Sequence, residues 1–314
     1  MFSTQNDEHL IRSNLWSREL KETLEEELFA QRYVDFVSDF PDGDTLNIPS
    51  IGAMEVRDYA EDQQIQYTGM DTGNFTLTVD QYKSSATFIT EKMKQDTYYL
   101  NEIVSGFVPK QRRALMEAME TRVWDRANAG QTASGLNTIN GANHRFVGSG
   151  TSEVMAVKDF ALAKYALRKA NVPMSNLVAV VDPSVEYELS TLTNLTNVSN
   201  NPAWEGIIRD GMGNGMRFFM NIYGFDVYVS DFLPNSISET VDSKTVTAGV
   251  ANYFFSATSD IMPIKGVVRQ APKVDSEYNK DWQREEYVTT CRYGFKLFRP
   301  ENMVIVLTDT DQVS

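Results

Sequence analysis

The chain has 314 residues, and 42% of them are hydrophobic, which is ordinary for a globular protein and sufficient for a sizeable core. That length is compatible with one large domain or with two lobes. The net charge of −14 argues against a nucleic-acid binder that needs a basic surface.

Residues 14–32 are predicted to form an amphipathic helix. Apolar side chains recur at every fourth position, while glutamates occupy the other faces. The apolar positions are Trp16, Leu20, Leu24 and Leu28. So clear a stripe has to dock, either on the core of its own subunit or on a neighbouring subunit.

Two extended segments, DGDTLNIPSIG and NFTLTVDQYKSSATFIT, follow this helix. Their period-two alternation predicts half-buried strands. Between them runs an acidic stretch without lysine, AMEVRDYAEDQQIQYTGMDTG, which has little to bury. The pattern predicts an arm that projects from the body and is stabilised by another subunit, which points to assembly rather than catalysis.

A second helical region is predicted over residues 95–128, with an apolar stripe that runs through Leu115, Met119 and Val123. Pro109 either kinks this helix or begins a second one. A continuous helix would be roughly 50 Å long and would suit a structural spine. Residues 129–152 are rich in Gly, Asn, Ser and Thr and are predicted to be an irregular loop.

The middle of the chain alternates between predicted helices and strands. A helix is expected at 157–169 and a buried strand at 177–181, after which Asp182 caps a helix that Pro183 opens. Further strands are predicted at 225–230, 253–257, 287–297 and 303–307. A lobe inserted into a discontinuous, strand-rich platform explains this order better than two consecutive domains.

No residue set for catalysis, cofactor binding or metal binding is predicted. The chain has one cysteine, Cys291, on the apolar side of a strand, and His144 lies in the Gly-rich loop without a nucleophile elbow. The glycines of the 205–215 loop lack the Lys-Ser/Thr of a P-loop, so a flexible turn is the favoured interpretation. The chain shows no secretory signal and no apolar run of roughly 20 residues, so a reducing cytoplasm is expected.

Taken in order, six segments resemble the major capsid protein of tailed bacteriophages, and the resemblance covers nearly the whole chain. The segments are DGDTLNIPSIG, FTLTVDQYKSSATFIT, METRVWDRANAG, NLVAVVDPSVEYEL, GFDVYVSDFLP and EYVTTCRYGFKLFRPENMVIVLTD. The resemblance implies an α+β protein with the Hong Kong 97-type capsid fold. Its implied parts are an N-arm (1–35), a peripheral domain (36–154 and 276–314) with an E-loop (52–74) and a spine helix (92–128), and an axial domain (155–275).

The resemblance also implies which residues meet other subunits. Contact candidates in the N-arm and E-loop are Trp16, Leu20, Leu24, Leu28, Arg57, Asp58, Tyr59, Glu61, Asp62 and Tyr67. Candidates for the axial tip are Trp204, Gly211, Gly213 and Gly215. Because no lysine occurs between Lys21 and Lys83, the covalent E-loop crosslink of some family members is not expected.

The implied function is a structural major capsid protein, without enzymatic activity, that assembles into hexamers and pentamers of an icosahedral shell around double-stranded DNA. Expected partners are further copies of the chain, a separate scaffolding protein, a portal and a cement protein, with no membrane and no sequence-specific DNA binding. The expected location is the virion capsid, after assembly in the host cytoplasm. The alternatives are an encapsulin-type shell, an α/β enzyme with a phosphate loop at 205–215, and another virion protein.

Overall fold

The computed structural model describes residues 28–38, 43–51, 58, 61, 64, 72–96, 100–131, 137–191 and 218–309. After a 3-10 turn at Ala30–Tyr33, the first strands are β1 (Val34–Phe36), β2 (Thr45–Ile51), β3 (Thr72–Thr78) and β4 (Gln81–Thr90). Two helices and three short strands follow, namely α1 (Glu91–Asp96), α2 (Leu100–Gly130), β5 (Thr138–Ile139), β6 (Ala142–Asn143) and β7 (Arg145–Val147).

The second half of the chain supplies the remaining helices and most of the strands. Residues 157–191 contain α3 (Val157–Lys169), β8 (Leu177–Val181) and α4 (Pro183–Thr191). Residues 218–309 contain β9 (Phe218–Ile222), β10 (Phe225–Val229), β11 (Ile237–Val241), β12 (Lys244–Ser256), β13 (Ile264–Asn279), β14 (Arg284–Leu297) and β15 (Val304–Asp309).

A four-stranded sheet, in the order β1-β13-β14-β4, lies against one side of α2. Strand β14 is antiparallel to both β13 and β4, and β1 runs parallel to β13. Alternate residues of β14, from Cys291 through Tyr293 and Phe295 to Leu297, are buried, as their spacing predicts. This alternation is the pattern of an antiparallel strand with one face packed on the hydrophobic core.

A larger central sheet has the order β7-β15-β12-β8-β10-β9, and β11 adds to β12. Its side chains alternate between two hydrophobic clusters. Val304 and Val306 pack with α3 and α4 on one face, while Ile305 and Leu307 join the cluster around α2 on the other. Because both faces are covered, every residue of β15 and of β8 is buried, as expected for continuous apolar runs.

The long helix α2 runs without interruption through Pro109 and ends at Gly130. At 1.5 Å per residue, its 31 residues span about 46 Å. The predicted stripe of Leu115, Met119 and Val123 is buried. Residues 91–96 form α1, and residues 97–99 between α1 and α2 lie outside the described residues.

Several boundaries differ from the sequence prediction. The predicted N-terminal helix does not extend to residue 32, because the backbone N–H groups of Phe29 and Ala30 donate to a side chain of α2 instead of continuing a helix. The predicted loop 129–152 contains the last residues of α2 and the strands β5, β6 and β7. Strand β7 is ordered by parallel pairing with β15, a partner that is remote in sequence.

The assignment of two strands to sheets also differs from the expected grouping. The closing strand β15, expected with the platform, pairs with β12 and β7 in the central sheet. Conversely, most of β13 falls within the expected 155–275 lobe, yet it pairs with β14 in the four-stranded sheet. The reason is that an apolar or alternating run encodes burial but does not encode the identity of the neighbouring strand.

The hydroxyl of Tyr253 provides a test of the packing between α2 and the central sheet. This buried hydroxyl donates to the backbone oxygen of Trp124 at 2.8 Å, and the two rings stack with centroids 5.0 Å apart. We expect Tyr253→Phe to lower the free energy of unfolding by about 1 kcal/mol, since one buried hydrogen bond is lost. Urea unfolding of the unassembled subunit measures this difference.

The matched control is Tyr187→Phe on the exposed surface of α4, where a change within about 0.5 kcal/mol is expected. Equal stabilities of the two variants would contradict the proposed contribution of the Tyr253 hydroxyl.

Candidate assembly surfaces

The predicted arm emerges from a two-stranded antiparallel sheet, β2–β3, which we call the arm root. Its register runs from Thr45 opposite Thr78 to Ile51 opposite Thr72. Residues 52–71 therefore leave and return at adjacent points. Both flanking strands are confirmed where the alternation predicts them.

Two of the contact candidates in this arm, Asp58 and Glu61, are described, and both are exposed. Leu28, the last residue of the predicted N-terminal stripe, is half-buried at the edge of the body. The other candidates lie outside the described residues: Trp16, Leu20, Leu24, Arg57, Tyr59, Asp62, Tyr67, Trp204, Gly211, Gly213 and Gly215.

The arm root is attached to the body by a small apolar cluster. Leu77 and Val79 are buried together with Val267 of β13, and Leu46 and Phe75 pack against them. Burial of a leucine side chain contributes about 1.5–3 kcal/mol. The arm root is therefore part of the folded subunit.

Close approach of two backbones fixes the position of the arm root over β14. A Cβ atom on Gly294 would lie 2.2 Å from the carbonyl oxygen of Thr78 and 3.0 Å from the Cα of Val79. Only glycine permits this contact, as expected where another backbone crosses a strand. The sequence signal was a lone glycine inside an alternating strand.

Ionic contacts tie the corner between β3 and β4 to α2. Asp80 accepts hydrogen bonds from Arg122, at 2.8 Å, and from Arg126. Burial alone would raise the pKa of Asp80, but the two guanidinium groups outweigh that effect and hold the pKa below its usual value. Nearby, Arg292 of β14 pairs with Asp44 at 2.5 Å. The arm root is thus bonded to the helix as well as to the sheet.

Substituting Gly294 tests the crossing of the arm root over β14. We expect Gly294→Ala to lower the free energy of unfolding by about 1–3 kcal/mol, because the new methyl group meets backbone atoms that have to move. The measurement is the urea midpoint of the unassembled subunit. The control is Ser84→Ala at an exposed position of β4, which should change the free energy of unfolding by less than about 0.5 kcal/mol. Wild-type stability of Gly294→Ala would show that the two backbones are not in contact.

A buried carboxylate holds the point where the N-terminal segment joins the body. Oε1 of Glu120, on α2, accepts hydrogen bonds from the backbone N–H groups of Phe29 at 3.1 Å and Ala30 at 2.7 Å. The Phe29 ring packs edge-on to Trp124 with centroids 6.5 Å apart. This contact lies within the predicted N-arm, and no local sequence pattern indicates it because its partners lie 90 residues apart.

Burial raises the pKa of Glu120, and the two backbone hydrogen bonds lower it by less than burial raises it. A carboxylate in this position therefore costs stability when it is ionised. The arrangement nevertheless provides one acceptor for two backbone donors that would otherwise be unpaired.

Two substitutions of Glu120 separate its charge from its hydrogen bonds. Glu120→Ala leaves both N–H groups without this acceptor and creates a cavity, so we expect a loss of about 2–4 kcal/mol. Glu120→Gln keeps an acceptor oxygen and removes the buried charge, so its stability at neutral pH should equal or exceed that of wild type. Urea unfolding of the unassembled subunit measures both.

The pH dependence of the same pair of proteins follows from the raised pKa. The folded state binds this proton more tightly than the unfolded chain, so wild-type stability falls relative to Glu120→Gln as pH rises above about 4.3. The difference levels off above the folded pKa. A difference that is independent of pH would contradict burial of an ionisable group here.

An exposed aromatic surface at the end of the four-stranded sheet was not predicted. Trp282 and Phe88 are 69% and 54% exposed, and the Arg284 guanidinium lies 5.4 Å and 4.6 Å from their ring centroids. The sequence shows the aromatic residues, but only the register of β4 with β14 brings them together.

The two residues that the sequence offered for chemistry, His144 and Cys291, are both buried. His144 is buried with Nδ1 3.1 Å from the Ala142 carbonyl oxygen, and burial lowers its pKa. Cys291 is buried as predicted, and burial raises the pKa of its thiol. Within the described ranges, no three His, Cys, Asp or Glu side chains converge as metal ligands. None of the described helices is both long and apolar enough to span a bilayer.

The fold is similar to that of solved phage capsid structures. The structure titled Mycobacterium phage Che8 has a TM-score of 0.68 and 19% identity, over 95% of this chain and 97% of that one. The head structure of Helicobacter pylori bacteriophage KHP40 has a TM-score of 0.69 and 11% identity, over 98% of each chain. The Cyanophage Pam1 capsid has a TM-score of 0.69 and 13% identity, over 99% of this chain and 98% of that one. These likenesses confirm the expected α+β capsid fold.

No curated protein matches the chain significantly in sequence. A family model for the phage capsid protein matches residues 74–306, from within β3 to within β15. This match covers most of the chain, including α2 and most strands of the four-stranded and central sheets. The chain therefore belongs to the phage capsid protein family.

Proposed function

We propose that this structural capsid protein assembles into hexamers and pentamers of an icosahedral shell around double-stranded DNA. The observation that carries the proposal is the arm root, which is bonded to the body while residues 52–71 leave and return at its end. A hairpin of twenty residues reaches about 33 Å at 3.3 Å per residue. That length is enough to lie across a neighbouring subunit.

In this proposal α2 is the spine helix of a peripheral domain, residues 52–74 form the E-loop, and residues 1–35 form the N-arm. The axial domain contains α3, α4 and much of the central sheet, and its tip lies within residues 192–217. Many modest contacts of this kind, repeated around closed rings, add up to a rigid shell. The absence of lysine from residues 22–82 supports non-covalent contacts or a separate cement protein.

The remaining partners follow from the same role. A scaffolding protein and a portal would be separate chains, and assembly would take place in the host cytoplasm. The net charge of −14 supports a wall that encloses DNA without binding its sequence.

Negative-stain microscopy of the protein expressed with and without a scaffolding protein tests the proposal. Closed shells support it, whereas small shells filled with an enzyme and free of DNA would indicate a nanocompartment.

Removal of the arm should abolish assembly without unfolding the subunit. Ile51 and Thr72 lie opposite each other, so replacing residues 52–71 by Asn-Gly closes β2–β3 with a two-residue turn. We expect wild-type circular dichroism and urea stability, with sedimentation as free subunits in place of shells. Normal particles from this variant would refute the assignment of residues 52–71 to an intersubunit contact.

A further inference from the structure

Two aromatic rings join the arm root to the body beside a cluster of cations. Phe75 of β3 packs edge-on to Phe298 with centroids 4.8 Å apart. Nζ of Lys296 lies 4.9 Å from the Phe75 centroid, and Nζ of Lys265 lies 4.8 Å from that of Phe298. The Arg299 guanidinium is 5.4 Å from the same Phe298 ring. We call this set the cationic ring cluster.

The cluster borders a cleft of ≈ 710 Å³ between the arm root and the turn after α3. Its lining includes Asn74, Asn171, Pro173, Phe298 and Arg299. The lining contains one carboxylate, that of Glu301. A cleft of this size accommodates several side chains of a partner.

Two of the cations are available to an acidic partner. Lys265 is paired with Asp35 at 2.5 Å, and Lys296 donates to the Thr76 carbonyl oxygen at 2.8 Å. Among the described residues, neither Lys296 nor Arg299 has a carboxylate within 4.0 Å. Both side chains are exposed. Exposed cations beside apolar rings favour a segment that is both acidic and amphipathic.

We propose that the N-terminal segment 1–27 of a second copy, which is acidic and whose sequence predicts an amphipathic helix, docks on the cationic ring cluster. This segment holds seven Asp or Glu residues against three Lys or Arg residues. Its apolar stripe, Trp16, Leu20 and Leu24, suits the rings of Phe75 and Phe298, and the run of glutamates at 25–27 suits the cations. The inference rests on the proposed function, because it requires the N-arm to reach a neighbour.

The docked segment of the second copy would contact both the arm root and the body. Phe75 belongs to β3, whereas Phe298 follows β14. A neighbour's segment that covers both rings would therefore strengthen the attachment of the arm root in the shell. Free subunits would lack this reinforcement.

Site-directed disulfide formation tests the contact directly. Two full-length copies with different affinity tags, one carrying Leu24→Cys and the other Asn74→Cys, are co-expressed and oxidised. The expected result is a mixed disulfide that contains both tags. Each single variant expressed alone is the control for unspecific crosslinking. Absence of the mixed disulfide overturns the proposal.

The double variant Leu24→Cys/Asn74→Cys in one chain distinguishes the second copy from folding back within a subunit. A disulfide-linked oligomer on a non-reducing gel supports docking between copies. A disulfide confined to single chains overturns it.

Charge reversal provides a second readout of the same contact. We expect Lys296→Glu/Arg299→Glu to reduce the fraction of protein in shells by about tenfold, and Glu25→Lys/Glu26→Lys added to it to restore assembly. Lys273→Glu, an exposed lysine of β13, is the control and should assemble as wild type does. Circular dichroism checks that each variant folds.

The outcomes separate this inference from the proposed function. If wild type forms shells and the folded charge-reversed variant does so equally well, the inference alone is wrong. If wild type forms no shells, the proposed function fails, and the disulfide experiment still decides the contact between copies.

Discussion

The packing of α2 between two sheets is the constraint on which the rest of this subunit depends. On one side Gln111 accepts a hydrogen bond from Thr289 of β14 at 3.0 Å. On the other side Trp124 stacks on Tyr253 of β12. A helix buried on more than one face is held by packing rather than by its own propensity. The relative position of the two sheets is therefore set through this helix.

The same helix holds the two points at which residues 1–27 and residues 52–71 join the described body. Glu120 binds the backbone where the N-terminal segment meets the body, and Arg122 and Arg126 bind Asp80 beside the arm root. These residues lie within two turns of one another on α2. In the proposed shell this combination matters, because segments that contact neighbours are effective only if their attachment points are rigid.

Local patterns predicted much of the fold correctly. The helix 157–169 and the strand 177–181 have the predicted bounds, because each has a consistent period or a continuous apolar run with clear end signals. Asp182 caps the following helix as predicted, accepting a hydrogen bond from the Ser184 N–H at 2.9 Å. The family resemblance rested on the order of such segments, and the family match confirms it.

Features that depend on partners remote in sequence were missed. The 3-10 turn at Ala30–Tyr33 and the strand β7 are ordered by Glu120 and by β15, and neither partner is visible in the local pattern. The pairing of β15 with β12 in the central sheet was not predicted, for the same reason. Of the candidate site, the sequence predicted the two strands that flank the arm, but not the ionic and steric contacts that hold the arm root.

Hydrogen–deuterium exchange on free subunits and on assembled shells tests the central claim most directly. The claim is that the body folds by itself while residues 1–27 and 52–71 gain their stability from neighbours. We expect slow exchange in α2 and β15 in both states, and protection of the two segments in shells alone. Equal protection of residues 52–71 in the isolated subunit would contradict the account.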